Sequence, residues 1–174
     1  MSVNLGSKSW VMLVALVGAV GCSDGEFEAG PAVPETEPHV ELGTGEAEFE
    51  PIVGEPTIEM AAGFQGGFHV WTSFLASGFE EERLDMVLVT EVDGIDDSDL
   101  TMRATLRGSE LVSEDGEKLW TFAGYPGQVL DARCASGKRV RLSVTLSDSF
   151  GHAASDERHC IVFLDEMYRS TDCE

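Results

Sequence analysis

From Ser9 to Glu82 the chain has no lysine and no arginine. Over its 174 residues, 11 Lys and Arg stand against 32 Asp and Glu, a formal net charge of −21 at pH 7. This shortage of cations argues against nucleic acid as a partner, because phosphate binding rests on basic contacts that release counterions. It argues equally against lying flat on an anionic membrane. Divalent cations and basic proteins stay open as partners, beside plain solubility through mutual repulsion. A long apolar run is missing as well. Trp10–Val20 is broken by Gly18, and as a helix it would span about 16 Å, roughly half of a 30 Å hydrocarbon core. Helical periodicity of useful length is absent, as is any internal repeat. So are the S-x-x-K, H-E-x-x-H and C-x-x-C patterns and the phosphate-binding G-x-x-x-x-G-K loop. Each of these places a nucleophile, metal ligands or backbone amides at a spacing its chemistry requires. The reading is therefore non-enzymatic.

What the N-terminus does hold is a polar start with Lys8, a short apolar run, the small residues Ala19, Val20 and Gly21, and then Cys22. The stretch "VALVGAVGCSDGEFEAG" resembles a bacterial lipoprotein signal. The resemblance implies that residues 1–21 are removed, that Cys22 carries the lipid, and that the membrane is reached through it. Ser23 after the cysteine implies the outer membrane of the cell envelope rather than the inner one. Ordinary secretion is the alternative, since Ala19-Val20-Gly21 also suits a common signal peptidase. Residues 22–39 hold five carboxylates among prolines and glycines, the composition of a tether that cannot bury enough surface to order itself. A lipid anchor needs such a spacer, and acyl chains contribute about 0.8 kcal/mol per buried CH₂.

From Val40 to Glu166 the pattern is short β-type runs separated by turn residues. Arg139–Ser147 alternates most cleanly: Val140, Leu142, Val144 and Leu146 inward, with polar side chains between. Leu84–Val92 reads as a central strand. Asp115-Gly116 suits a two-residue hairpin turn that pairs Leu111 with Trp120 and Val112 with Leu119. Gly66-Gly67 suits another that sets Ala62 opposite Trp71 and Phe64 opposite His69. The segment 126–136 is ambiguous between strand and short helix. The expected fold is a single all-β sandwich of about seven to nine antiparallel strands, followed by a tail at 167–174. In "RLSVTLSDSFGHAASDERHCIVFL" an alternating strand, then Asp148, Gly151 and Ala154 in a D-x-x-G-x-x-A spacing, then a last strand, resemble the end of bacterial immunoglobulin-like or PKD-like domains. That resemblance implies an immunoglobulin-like sandwich and no particular activity. The segments at 40–52 and 63–71 also resemble predicted bacterial lipoproteins without an assigned role.

An exported domain favours disulfides. With Cys22 lipidated, three cysteines are left; Cys134–Cys160 is the expected bridge, closing about 26 residues for roughly 3 kcal/mol. Cys160–Cys173 is the alternative. Gln65 and His69 form a candidate binding lip on the Gly-rich turn; strand alternation alternatively makes His69 a polar neighbour on a half-buried face. Asp93, Asp96, Asp97 and Asp99 offer hard oxygen ligands for calcium on one loop, against the alternative of a solvated acidic loop. A transition-metal site at His152, His159 and Cys160 is disfavoured, because adjacent strand residues point to opposite faces. These residues are expected in an envelope lipoprotein that acts as a binding or structural module. Its partner would be an envelope protein or a glycan, met by an edge strand or by the loops at one end of the sandwich. A calcium- or transition-metal-binding domain is the second reading.

Overall fold

The computed structural model describes residues 36–63, 67–95 and 98–168. Backbone contacts divide the chain into Met1–Gly30 and Pro31–Glu174, and every described residue lies in the second unit. Its elements are β1 (His39–Thr44), β2 (Glu50–Pro51), β3 (Thr57–Glu59), β4 (Ala61–Ala62), β5 (Phe68–Ser77), β6 (Arg83–Val92), β7 (Leu100–Arg107), β8 (Ser109–Val112), β9 (Lys118–Val129), the one-turn helix α1 (Ala132–Ala135), β10 (Arg139–Ser147), β11 (Ala153–Phe163) and a 3₁₀ turn (Glu166–Tyr168). They make an all-β sandwich. One sheet runs β2-β1-β5-β9-β8, with β4 also paired to β5; the other runs β3-β11-β10-β6-β7. Eight strands have four residues or more, within the expected range, and β2, β3 and β4 are short additions. One pairing departs from the antiparallel expectation: β3 runs parallel to β11.

Alternation builds the core. Val140, Leu142, Val144 and Leu146 of β10 are buried, as are Leu84, Met86, Leu88 and Val92 of β6. The facing sheet contributes Val70, Phe74 and Ala76 of β5 with Trp120 and Phe122 of β9. Truncating one of these phenylalanines to alanine would cost about 3–5 kcal/mol. The β5–β9 register shifts between Thr72 and Phe74, where Ala123 and Gly124 of β9 stand opposite the single residue Ser73 of β5. The buried Ser73 hydroxyl donates to the Thr44 carbonyl, so the irregularity strands no polar group. Two bonds tie the sheets to each other. The Thr90 hydroxyl of β6 donates to the Gln128 carbonyl of β9. The Leu42 amide of β1 donates to the Asp156 carboxylate of β11 at 2.8 Å. The chain itself crosses between sheets at buried Met60, which separates β3 from β4 and donates its amide to the Phe163 carbonyl at 2.7 Å.

Both expected hairpin registers are corrected: the first loop has three residues between its closing pair instead of two, and the second is closed by a different pair from the one a Gly66-Gly67 turn implies. Ser113 and Glu117 close one loop, with an amide-to-carbonyl bond of 2.9 Å. Leu111 therefore pairs with Leu119 and Val112 with Lys118, while Trp120 faces Glu110. Gly116 takes φ 84°, the left-handed position that a three-residue loop requires. Gly63 and Gly67 close the other at 2.7 Å. Ala61 then pairs with His69 and Ala62 with Phe68, so neither expected partner stands where the two-residue turn would put it. The ambiguous segment resolves into both options in turn, since β9 runs to Val129 and α1 follows. The 3₁₀ turn packs back onto the domain through Tyr168, whose ring meets Phe68 edge-on at 5.4 Å.

The expected Cys134–Cys160 bridge does not form, and neither does Cys160–Cys173, because Cys160 is a free, buried thiol. Cys160 pairs with Val140 on the inner face of β11, fully enclosed by the core. Helix α1 buries Ala132 and Ala135, three apart on one face, which turns Cys134 away from that core. Cys134 is disulfide-bonded to a partner outside the described residues. Cys22 and the signal and most of the tether also lie outside them, as do Gln65, Asp96, Asp97 and Cys173.

Candidate functional site

A groove of about 800 Å³ opens at the end of the sandwich where β5 begins and β9 ends. Its apolar lining comes from Phe68 and Trp71 of β5, Leu100 at the start of β7, and Pro126, Val129 and Leu130. Its polar groups are His69, Gln128, Asp131 and Arg133. A mostly apolar concavity with a few converging polar groups, within about 300–1,000 Å³, is the usual form of a binding pocket.

Local sequence explains each wall. In β5, Val70 and Thr72 turn into the core, so His69 and Trp71 share the opposite face. Their rings meet edge-on, centroids 4.3 Å apart at 79°. Gly63, paired with Gly67 across the loop, passes close to the imidazole; a Cβ there would lie 3.7 Å from His69 Nδ1. On the other wall, β9 ends where Asp131 adopts the left-handed conformation, φ 48° and ψ 44°. Asp131 is the one non-glycine residue with positive φ among those described. Its carbonyl accepts the amides of Cys134 and Ala135 at 2.8 and 3.0 Å. The turn thereby aims α1 across the groove and leaves Leu130 and Arg133 exposed at its rim. An aspartate tolerates this backbone better than most residues, since its short polar side chain suits local bonding.

His69 is the chemically distinctive member. It is only 8% exposed, and its Nε2 is buried without a hydrogen-bond partner among the described residues. Burial pushes the imidazole below its usual range, against the opposing pull of the Glu46 carboxylate. The ring is thus held neutral at pH 7, with one nitrogen unsatisfied. Buried polar atoms without a partner are rare, and a ligand group is one way of satisfying them. Strand alternation had placed His69 beside Trp71; the groove behind them depends on β9, α1 and Leu100, far away in sequence, and was not legible.

Among the described residues the other candidates are not brought together. Asp93 and Asp99 are both exposed. Their loop is held by Ser98, whose buried hydroxyl accepts from the Val92 amide at 2.9 Å and donates to the Val92 carbonyl at 3.1 Å. Lys138 Nζ reaches the Gly94 carbonyl at 3.4 Å, putting a cation beside the aspartates. Among the described residues no three His, Cys, Asp or Glu side chains are grouped to hold a metal. His152 Nδ1 lies 2.8 Å from Asp148, His159 lies 3.8 Å from Glu157, and Cys160 faces the core. The chain matches no known family model and no curated protein.

Proposed function

We propose that this chain is a non-catalytic binding module of the bacterial envelope, lipid-anchored at Cys22 and presenting the groove at the end of its sandwich. One observation carries the reading: a groove of ligand size contains a buried histidine whose Nε2 has no partner among the described residues. Two of the groove's polar groups, His69 and Gln128, sit on the paired strands β5 and β9, which fix the orientation of a bound molecule. An envelope protein or a glycan fits the mixed apolar and polar lining. The short apolar run, the small residues before Cys22 and the acidic segment after it support the anchor.

We read the domain as immunoglobulin-like. In that fold one sheet carries the first, second, fifth and fourth strands and the other the third, sixth and seventh. Here β5, β9 and β8 lie side by side, and β6, β10 and β11 do so in the opposing sheet. The extra strand β7 extends the second sheet beside β6, as in variable-type domains.

The test is capture from solubilised envelope extract with the full chain and with Leu130→Glu. Leu130 is 42% exposed at the groove, so the substitution leaves the core alone. A defined protein or glycan retained by the unmodified chain and lost with Leu130→Glu supports the groove. Equal retention by both overturns it. Membrane partition of Cys22→Ser tests the anchor separately: release into the soluble fraction is expected, and unchanged partition contradicts it.

A further inference from the structure

We propose that β7 accepts an extended segment of a partner protein as an added strand, and that this segment alternates acidic and apolar residues. Strand β7 ends one sheet, with β6 on one side and no strand on the other among the described residues. The Gly108 amide donates to the Glu82 carbonyl at 2.7 Å, and the register sets these two residues directly opposite each other. Hydrogen-bonded pairs alternate along an antiparallel ladder. Leu106, Ala104 and Met102 therefore turn their amides and carbonyls to β6, while Thr101, Arg103, Thr105 and Arg107 turn theirs outward. The edge is 8 residues long, with no proline, glycine or bulge to blunt it. Other strands are closed off. The Asp156 carboxylate takes the Leu42 amide of β1. On β9, Thr90 takes the Gln128 carbonyl, and Pro126 has no amide hydrogen to give.

Two observations set the chemistry of the added strand. The first is charge. Arg83 of β6 stands opposite Arg107 of β7, and Arg103 follows on the same exposed face. Arg107 reaches Glu82 at 2.6 Å, and Asp85 accepts from the Thr105 hydroxyl. Arg83 and Arg103 have no ion pair among the described residues. On a chain of net charge −21 this edge is a local excess of cations, which selects an acidic strand. The same net charge opposes a second copy of the chain as the occupant. The second observation is space. Strand β8 pairs with β9 from Lys118 to Thr121. Farther along β9, a cavity of about 160 Å³ lies between the sheets, lined by Leu88, Leu100 and Met102 on one side and Pro126 and Gly127 on the other. Roughly this volume admits a benzene-sized group. On an added strand one row of side chains meets the arginines and the other row covers the opening to this cavity. Main-chain bonds then give affinity, and the two rows give specificity.

Amide hydrogen exchange in the full chain, read residue by residue by NMR, tests this directly. Without a partner, the amides of Met102, Ala104 and Leu106 should exchange slowly and those of Thr101, Arg103, Thr105 and Arg107 fast. The acetylated heptapeptide Glu-Val-Glu-Val-Glu-Val-Glu at millimolar concentration should slow the second set. Its counterpart with lysine in place of glutamate should not. Arg103→Glu is expected to weaken the acidic peptide about fivefold. Thr105→Pro removes one outward amide hydrogen and leaves the bonds to β6 in place, so it should abolish the protection. Arg103 is exposed, and its variant reads the edge even where the proline lowers stability. Slowing by neither peptide, or equal slowing by both, overturns the proposal. So does slowing by raised protein concentration alone, which seats a second copy on the edge, or peptide binding unchanged in both variants. None of these readouts involves Leu130, so failure here leaves the reading of the groove standing.

Discussion

Asp148 organises the last hairpin with a single carboxylate. Its Oδ1 accepts the amides of Phe150 and His152 at 3.0 and 2.9 Å, and its Oδ2 lies 2.8 Å from His152 Nδ1. The side chain has no exposed surface. Burial works against its ionisation, but the bonds from the side chain and backbone of His152, and from Phe150, outweigh it and hold the carboxyl below its usual range. The sign follows: this stability is present above about pH 3.9, the unfolded carboxyl value, and is lost as pH falls through the lower folded value. Asp148→Ala should cost about 1–3 kcal/mol at pH 7. Urea melts at pH 7 and pH 3 should show a smaller loss on acidification in the variant than in the parent. The D-x-x-G-x-x-A spacing drew attention to Asp148 in the sequence only as part of a fold resemblance; its bonds to Phe150 and His152 came from the structure. Cys160 was not legible either. Its thiol is pushed up to about 11 by burial, then by the field of Glu55. It should resist alkylation in the native protein at pH 8 and react at once in denaturant; native reactivity comparable to a free thiol would contradict its enclosure.

At the scale of elements, periodicity located the strands and loop length set their partners. Inward and outward positions in β10 followed directly from residue type, since period two is local. Hairpin registers did not follow. Asp115-Gly116 suits a two-residue turn, yet three residues separate the closing pair Ser113 and Glu117; at the other hairpin Gly67 is itself a closing residue, paired with Gly63, and each such shift changes every cross-strand partner. Leu111 is consequently 48% exposed on β8 while Trp120 is buried on β9. Trp120 is fixed instead by its Nε1, which donates to the Phe79 carbonyl at 3.0 Å. Two glycines separate conformational need from crowding. Gly116, at φ 84°, has open space where a Cβ would stand, whereas Gly124, at φ 77°, would bring one to 2.6 Å from the Glu46 carbonyl. Gly116→Ala should cost about 1–2 kcal/mol from backbone conformation alone. Gly124→Ala should cost clearly more, as the β1–β2 loop must also move. Equal costs in denaturant unfolding would contradict this packing.

For the whole molecule, charge is the leading physical fact. A net charge of −21 favours self-repulsion in the compact state, so added salt should stabilise it by screening. The melting temperature should rise between about 10 mM and 500 mM sodium chloride, where the Debye length falls from about 30 Å to a few ångströms. At matched ionic strength, calcium should add nothing beyond magnesium, given the exposed Asp93 and Asp99 and the Lys138 ammonium beside their loop. A rise specific to calcium would revive the acidic loop as a metal site. Composition announced this charge, and alternation announced the sandwich. The groove was hidden because its walls come from β5, β7, β9 and α1, which meet only after both sheets have formed. The central claim is that an exported lipid anchor carries this binding domain. Mass spectrometry of the N-terminal peptide of protein extracted from bacterial membranes tests it most directly. The account predicts a chain beginning at Cys22 and heavier than its sequence by a thioether-linked diacylglycerol; a chain with an unmodified Cys22 thiol, whether cleaved before it or not, would contradict it.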